Sequence, residues 1–442
     1  MLRDSLMRTW FQHERVQHPV GQGGFHSAVV RSRKGEFRYV YDCGSSNRDA
    51  LDREVSQFLK QRATKRIDLL ALSHLDDDHV NGADQILSSL DVGTVLLPYL
   101  DLRERVLLIA EAGHKARLTE STLDLLTATT KWFTDRGAER VVYVLPQAGS
   151  PPDGNREPHP GPQTPPEEPF DFKIGRQFPR ADLFQENEWL VRSGEALPVS
   201  AGAAGAVRAF WELIPFCHSE PERLGPFMDA VTQLLRLPQN EDARDADGNS
   251  QYLSNLRGVL LDRERRREFA KLYRLIREDR NLTSMSLYSG PTFDDPYTYS
   301  VDVNGARQAG IRNVFGSDDD SEAIQNTKRG PAPGWLGTGD SKLRVIKRAS
   351  AFGQHYARVA ERVGSFVLPH HGSKLNFAPD SFEDEIEPAF WLAPSGPNSY
   401  GHPDKDLGEA LAHRGTFVHV QDGEATGFSE SFRWVHSVFG LY

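Results

Sequence analysis

Just after Ser73 the chain crowds His74, Asp76, Asp78 and His79 together in the spacing H-x-D-x-D-H. The apolar run from Ile67 to Leu72 that precedes them reads as a buried strand ending at Ser73. Charged groups at the mouth of such a strand are costly unless something compensates them, and a divalent cation is the natural partner. The bland alternative is a solvated acidic turn, Leu75-Asp76-Asp77-Asp78, with two incidental histidines. A second apolar strand, Phe366 to Leu368, runs into Pro369-His370-His371-Gly372-Ser373 and again ends in imidazoles.

The rest of the chain has to position those two strand mouths. It is 442 residues long, enough for a large core, with 38% hydrophobic and 26% charged residues. A formal net charge of -10 means that any polyanion must be drawn by a local patch or by bound metal. Two cysteines, Cys43 and Cys217, make no disulfide framework and fit a reducing compartment. Met1 to Arg15 lacks a signal-peptide core, and no stretch approaches the roughly 18 apolar residues of a membrane span. The expectation is a cytoplasmic protein without a membrane partner.

Residues 18–44 read as two strands joined by a polar turn, with Val20-Gly21-Gln22-Gly23-Gly24 at the start and Asp42-Cys43-Gly44 at the end. His26 is open either to a ligand role or to that of a stray strand-end histidine. Asp52 to Arg62 is expected to be a helix, Val80 to Leu90 another, and Val92 to Pro98 a strand. Leu100 to Arg136 is helical in pattern, and Val141 to Leu145 is a short strand. Pro146 to Pro169 holds nine prolines and cannot bury enough surface to fold alone. Two strand regions are expected in 170–215, a helix over Pro221 to Leu237 and a polar loop over Asn240 to Ser250. Asp262 to Arg280 reads as a basic helix whose apolar face, Leu261, Phe269, Leu272, Leu275 and Ile276, should pack on a sheet. Its arginines and lysines either form a solvated face, interleaved with glutamates, or grip phosphates.

The spacing at His74–His79 resembles the metal motif of the metallo-β-lactamase-fold hydrolases, usually H-x-H-x-D-H. Asp76 in place of a histidine is similar to the variant in the soluble hydrolase domain of ComEC-type DNA-uptake proteins. Four further stretches, in order, resemble that family: the VGQG strand with a later D-x-G, Asn281-Leu282-Thr283-Ser284, Gly337-Thr338-Gly339-Asp340, and Pro369-His370-His371-Gly372-Ser373. Asn398-Ser399-Tyr400-Gly401-His402-Pro403 resembles the family's end motif. The Asn281 strand stands where other members supply a histidine, so one usual ligand is missing.

The resemblance runs from about residue 18 to about 425 and implies one elaborated domain over 1–442. The fold it implies is α/β (α+β), a four-layer αβ/βα sandwich with insertions at about 100–136, 146–169 and 290–333. It implies two divalent ions, Zn or Mn, held by His74, Asp76, Asp78, His79, Asp340 and His371, with Asp340 bridging. His370 would be a contact beside the metal, although the sequence leaves open which of His370 and His371 is the ligand. Asp76 or Asp78 would orient the site, and either could act as general base. Ser373, Asn398, Tyr400 and His402 would bind a phosphate and the leaving oxygen. Hydrolysis is implied, with a DNA phosphodiester as first expectation, in a freestanding relative acting beside a partner protein in a defence or DNA-processing system. Against it stand a small-molecule hydrolase (cyclic nucleotide, lactone or lactam) and a metal-stabilised partner-binding subunit.

Overall fold

The computed structural model describes residues 7–32, 35–60, 65–146, 170–172, 188–201, 209–218, 225–235, 251–273, 283–312, 331–381, 386–423 and 426–437. The chain opens with β1 (Met7–Gln17), β2 (Gly23–Ser32), β3 (Glu36–Ser45), α1 (Arg48–Lys60) and β4 (Arg66–Ala71). It continues through α2 (Asp77–Val80), α3 (Ala83–Ser89), β5 (Asp91–Pro98), α4 (Leu102–His114), α5 (Glu120–Thr127), α6 (Thr129–Thr134) and β6 (Ala138–Leu145). Then come β7 (Phe170–Phe172), β8 (Glu188–Arg192), β9 (Leu197–Ala201), β10 (Ala209–His218), α7 (Gly225–Leu235), α8 (Gln251–Leu260) and α9 (Arg263–Leu272). The last part holds β11 (Ser284–Pro291), β12 (Tyr297–Val303), β13 (Ala306–Arg312), β14 (Gly334–Gly337), α10 (Ile346–Tyr356) and β15 (Val363–Val367). It closes with β16 (Phe390–Pro394), α11 (Lys405–Ala412), β17 (Thr416–Val420) and β18 (Phe428–Ser437).

These strands make a ten-stranded sheet, β13-β12-β18-β1-β2-β3-β4-β5-β6-β8, and an eight-stranded sheet, β17-β16-β15-β14-β11-β10-β9-β7. Three apolar clusters separate four layers. One lies between the sheets, with Phe11, Leu69 and Leu96 facing Trp211, Leu287, Trp335 and Leu392. The second joins the outer face of the larger sheet to α1 and α3–α9, and the third joins the smaller sheet to α10 and α11. This is the expected αβ/βα sandwich. In both sheets the strands nearest the site are parallel: β3, β4, β5 and β6 in one, β14, β15 and β16 in the other. Parallel strands covered on both faces are continuous apolar runs, which is why β4 and β15 stand out in the sequence. Their C-terminal ends open on the same side and deliver the motif residues to one place.

Several expectations need correction. A strand, β1, precedes the two expected over residues 18–44 and pairs with both β2 and β18. The 170–215 region carries four strands rather than two, and α8 follows the region read as a polar loop. The 290–333 segment contributes the β12–β13 hairpin, which extends the larger sheet through β18. The basic helix α9 packs on α4, α7 and α8 instead of a sheet. Phe269 is buried there as expected, but Leu261 is exposed. Residues 147–169, Arg274, Leu275, Ile276, Arg277 and Arg280 lie outside the described residues. Among the described residues, no helix is long and apolar enough to cross a membrane.

Candidate metal centre

The site is built on the carboxylate of Asp42, at the end of β3. Asp42 takes a left-handed backbone (φ 56) and is buried. It accepts from the Ser73 amide at 2.6 Å, from Ser73 Oγ at 2.7 Å and from His79 Nδ1 at 2.8 Å. Because a carboxylate only accepts, His79 carries a proton on Nδ1, which turns its Nε2 into the site. Ser73 Oγ spends its proton on Asp42, so at 2.9 Å it accepts from His74 Nδ1, which turns His74 Nε2 inward as well. His371 Nδ1 donates to the Pro394 carbonyl at 3.0 Å with the same result. Three buried imidazoles therefore present Nε2 atoms that have no hydrogen-bond partner.

What they face is negative. Asp340 Oδ2 lies 3.7 Å from His74 Nε2, and Asp340 Oδ1 lies 3.5 Å from His79 Nε2 and 4.0 Å from His371 Nε2. Asp78 Oδ2 is 3.7 Å from His371 Nε2. Lone pairs converging on carboxylates repel, and each unsatisfied buried polar atom costs about 1–3 kcal/mol. A divalent cation removes both penalties. Among the described residues, the two groups that combine ligand atoms closely enough to share an ion are His74–His79–Asp340 and Asp78–His79–His371. The residues fit a metal.

Titration follows the same logic. Burial and the neighbouring His79 push His74 down to about 4. Burial opposes charge on His79, yet Asp42 and Asp340 favour its imidazolium and hold its pKa well above the usual histidine range, so an ion at Nε2 would displace a proton there. Burial also works against the Asp340 carboxylate, but His370, His74 and His79 hold it well below the usual range.

The strand ends are packed too tightly for most substitutions. Gly339 (φ +51) places the Thr338-Gly339-Asp340 turn so close that a Cβ would stand 2.4 Å from Ser284 Oγ and 2.6 Å from Ser73 Cβ. Ser284 Oγ accepts the Asp340 amide at 3.0 Å, and Asn376 Nδ2 donates to the Asp340 carbonyl at 3.2 Å. A Cβ at Gly44 would meet the Asp78 and His79 backbone at 2.6 Å, so the D-x-G turn also seats the metal loop.

Other anticipated residues take different places. Asp76 is in neither ligand group; its carboxylate lies 3.7 Å from Lys115 Nζ, and Lys115 also holds Glu111 at 2.6 Å. Burial raises the Asp76 pKa, with Lys115 opposing. His370 is partly exposed, its Nε2 3.8 Å from Asp340 Oδ2 and its ring 5.3 Å from that of His402. Both His370 (φ 48, ψ 50) and His371 (φ 60, ψ 25) are left-handed. Such strain costs of order 1–3 kcal/mol per residue and persists where function requires it. Tyr400 is exposed and lies beside His402. Ser373 and Asn398 are committed to the backbone. Ser373 Oγ is buried and accepts from Leu375 N, while Asn398 bonds the Gly396 and His402 carbonyls and the Tyr400 and His402 amides. His26 stacks on Trp335 inside the core, 4.0 Å between rings, away from the ligand groups.

The residues not anticipated are Asp42, Ser73, Ser284 and Lys115. The D-x-G turn was the one signal for Asp42. Beside the metal loop lies a cavity of about 170 Å³, lined among others by Asp76, Asp77, Lys115, Arg117, Leu125 and Trp132.

The model of the family described as "Metallo-beta-lactamase superfamily" matches residues 21–104, from the glycine-rich turn through the metal loop to the start of α4. Over that stretch the chain is similar to the metallo-β-lactamase superfamily. No curated protein matches it. Among solved structures, "Crystal structure of a long form RNase Z from yeast" aligns at 12% identity and a TM-score of 0.26. That alignment covers 82% of this chain and 32% of the other, so the chain spans about a third of the matched structure's length. At that identity and score the match bears on neither substrate nor activity.

Proposed function

We propose that this chain is a metal-dependent hydrolase of phosphodiesters of the metallo-β-lactamase superfamily, with nucleic acid, DNA first, as substrate. The observation that carries the reading is the convergence of three partnerless buried Nε2 atoms on Asp340 and Asp78. His74, His79, His371, Asp78 and Asp340 would hold two divalent ions, and a donor set of imidazoles and carboxylates suits Zn or Mn. When bound, such ions supply Lewis-acid activation of water and neutralise charge on a phosphoryl oxygen. The chain's own residues do the rest. Asp42 and Ser73 fix the histidine tautomers, so no reorientation is required when substrate enters. Asp78 would accept a proton from the attacking water, and His402, whose ring lies 5.3 Å from that of His370, would serve the leaving oxygen with Tyr400 beside it. Lys115 and Arg117 line the cavity beside the metal loop, where they are paired with Asp76, Glu111 and Asp77.

The ComEC-like kinship, a partner protein and a defence setting are further parts of this proposal, supported by motif order alone. A small-molecule ester or cyclic nucleotide is the second reading. It is favoured by a cavity of only about 170 Å³ and by the net charge of -10. Incubating metal-loaded protein with plasmid, single-stranded DNA, RNA and bis-nitrophenyl phosphate tests both. Cleavage of nucleic acid that is lost in Asp78→Ala supports the first. Cleavage confined to the small ester supports the second.

A further inference from the structure

We propose that the stretch leaving Asp340, with the two loops that face it, is a docking strip for a single nucleic-acid strand. This rests on the phosphodiester reading above and deepens it by naming the form of the substrate. Six large apolar side chains are exposed among the described residues, and four of them, Val345, Ile346, Leu375 and Tyr400, lie on these three segments. Contacts join the segments into one surface. Arg344 donates to the Lys374 carbonyl at 2.6 Å, beside Leu375, and Asn376 Nδ2 donates to the Asp340 carbonyl at 3.2 Å. The Asp404 amide donates to the Gly372 carbonyl at 3.0 Å, and the Tyr400 ring lies 5.9 Å from that of His402. The exposed residues therefore begin where the buried cluster ends.

Charge names the occupant. In a chain of net charge -10, Ser341 to Gln354 carries Lys342, Arg344, Lys347 and Arg348 and no carboxylate, whereas the basic residues of α9 alternate with Glu264 and Glu268. Arg344 and Lys347 are exposed, while Lys374 is held by Asp404 at 2.8 Å. Such a stretch draws a polyanion by its phosphates. The apolar side chains decide which form of polyanion. A duplex keeps its base faces stacked inside, so Ile346 and Leu375 would gain nothing from it. A single strand offers phosphates to Arg344 and Lys347 and, at the same time, base faces to Ile346, Leu375 and Tyr400. Exposed apolar groups gathered at one place mark an interaction surface.

The test is binding, read by fluorescence anisotropy of a dye-labelled DNA oligonucleotide, single-stranded or annealed to its complement, over a range of salt. Wild type should bind the single strand more tightly than the duplex, on the order of tenfold. Ile346→Ser/Leu375→Ser should abolish that preference. Arg344→Gln/Lys347→Gln should flatten the log–log salt dependence on the single strand by about 0.7 for each lost contact. All four side chains are exposed, so both variants should keep the wild-type Tm and the wild-type rate on bis-nitrophenyl phosphate. Equal binding of the two forms by wild type, or wild-type behaviour of either variant on the single strand, would overturn the strip. So would binding to phosphatidylserine vesicles without binding to either oligonucleotide, which would make it a membrane-facing surface. A strand preference that depends on Ile346 and Leu375, in metal-loaded protein that cleaves no phosphodiester, would uphold the strip and overturn the hydrolytic reading alone.

Discussion

At the residue scale, the candidate centre depends on groups outside the clusters that could hold an ion. Asp42 lies 37 residues from His79 in sequence, yet it sets the tautomer of His79 directly and that of His74 through Ser73. Asp42→Ala is expected to weaken metal affinity about 10–100-fold, the usual loss when such outer hydrogen bonds are removed, as isothermal titration with Zn would show. Unchanged affinity would mean that the histidines are held by packing alone. Gly339→Ala should destabilise the fold by about 1–3 kcal/mol, measured by urea unfolding, because its Cβ would press on Ser284 and Ser73 at a left-handed turn. The His and Asp residues that converge here, Asp76 apart, are legible in sequence, since His and Asp have few reasons to crowd a buried strand mouth. Ser373 and Asn398 are not, because a polar residue in a turn reads the same whether it meets a substrate or its own backbone.

At the element scale, the strands that end in the site are legible because strands covered on both faces are unbroken apolar runs. The edge of the larger sheet is not. β1 turns His13, Arg15 and Gln17 inward and β18 turns Glu430 inward, so the alternation of apolar and polar residues that marks a strand is lost. The basic helix α9 is legible as a helix but not in its seat. It rests on α4, and the far end of α4 leads to Lys115 beside the metal loop. Arg266 is tied to the Leu260 and Leu118 carbonyls and is structural, whereas Arg265 and Arg267 are exposed. If α9 holds nucleic acid, Arg265→Ala/Arg267→Ala should raise the apparent Michaelis constant on DNA. It should also flatten the log–log salt dependence of affinity by about one unit per lost contact. Cleavage of bis-nitrophenyl phosphate should not change, and a matching loss on both substrates would assign the arginines to the fold.

At the scale of the whole molecule, the site exists because two sheets are clamped with their parallel strand ends side by side. A buried polar tie runs through the apolar layer between them. Arg15 of β1 pairs with Glu430 of β18 and reaches the Pro333 carbonyl and Ser365 Oγ in the other sheet. Arg15→Met should destabilise the chain by about 3–5 kcal/mol in denaturant unfolding, since it strands a buried carboxylate, and Arg15→Met/Glu430→Leu should recover most of that loss. Nothing in the sequence announces this tie, because its members lie 415 positions apart. The central claim is that the clamped strand ends form a metal centre that hydrolyses phosphodiesters. The most direct measurement follows bound metal and cleavage together while chelator-treated protein is titrated with Mn or Zn. The expected result is cleavage that appears as the sites fill and is absent in His79→Ala and Asp340→Ala, which remain folded. A chain that takes up neither metal, or that cleaves equally well without it, would contradict the account.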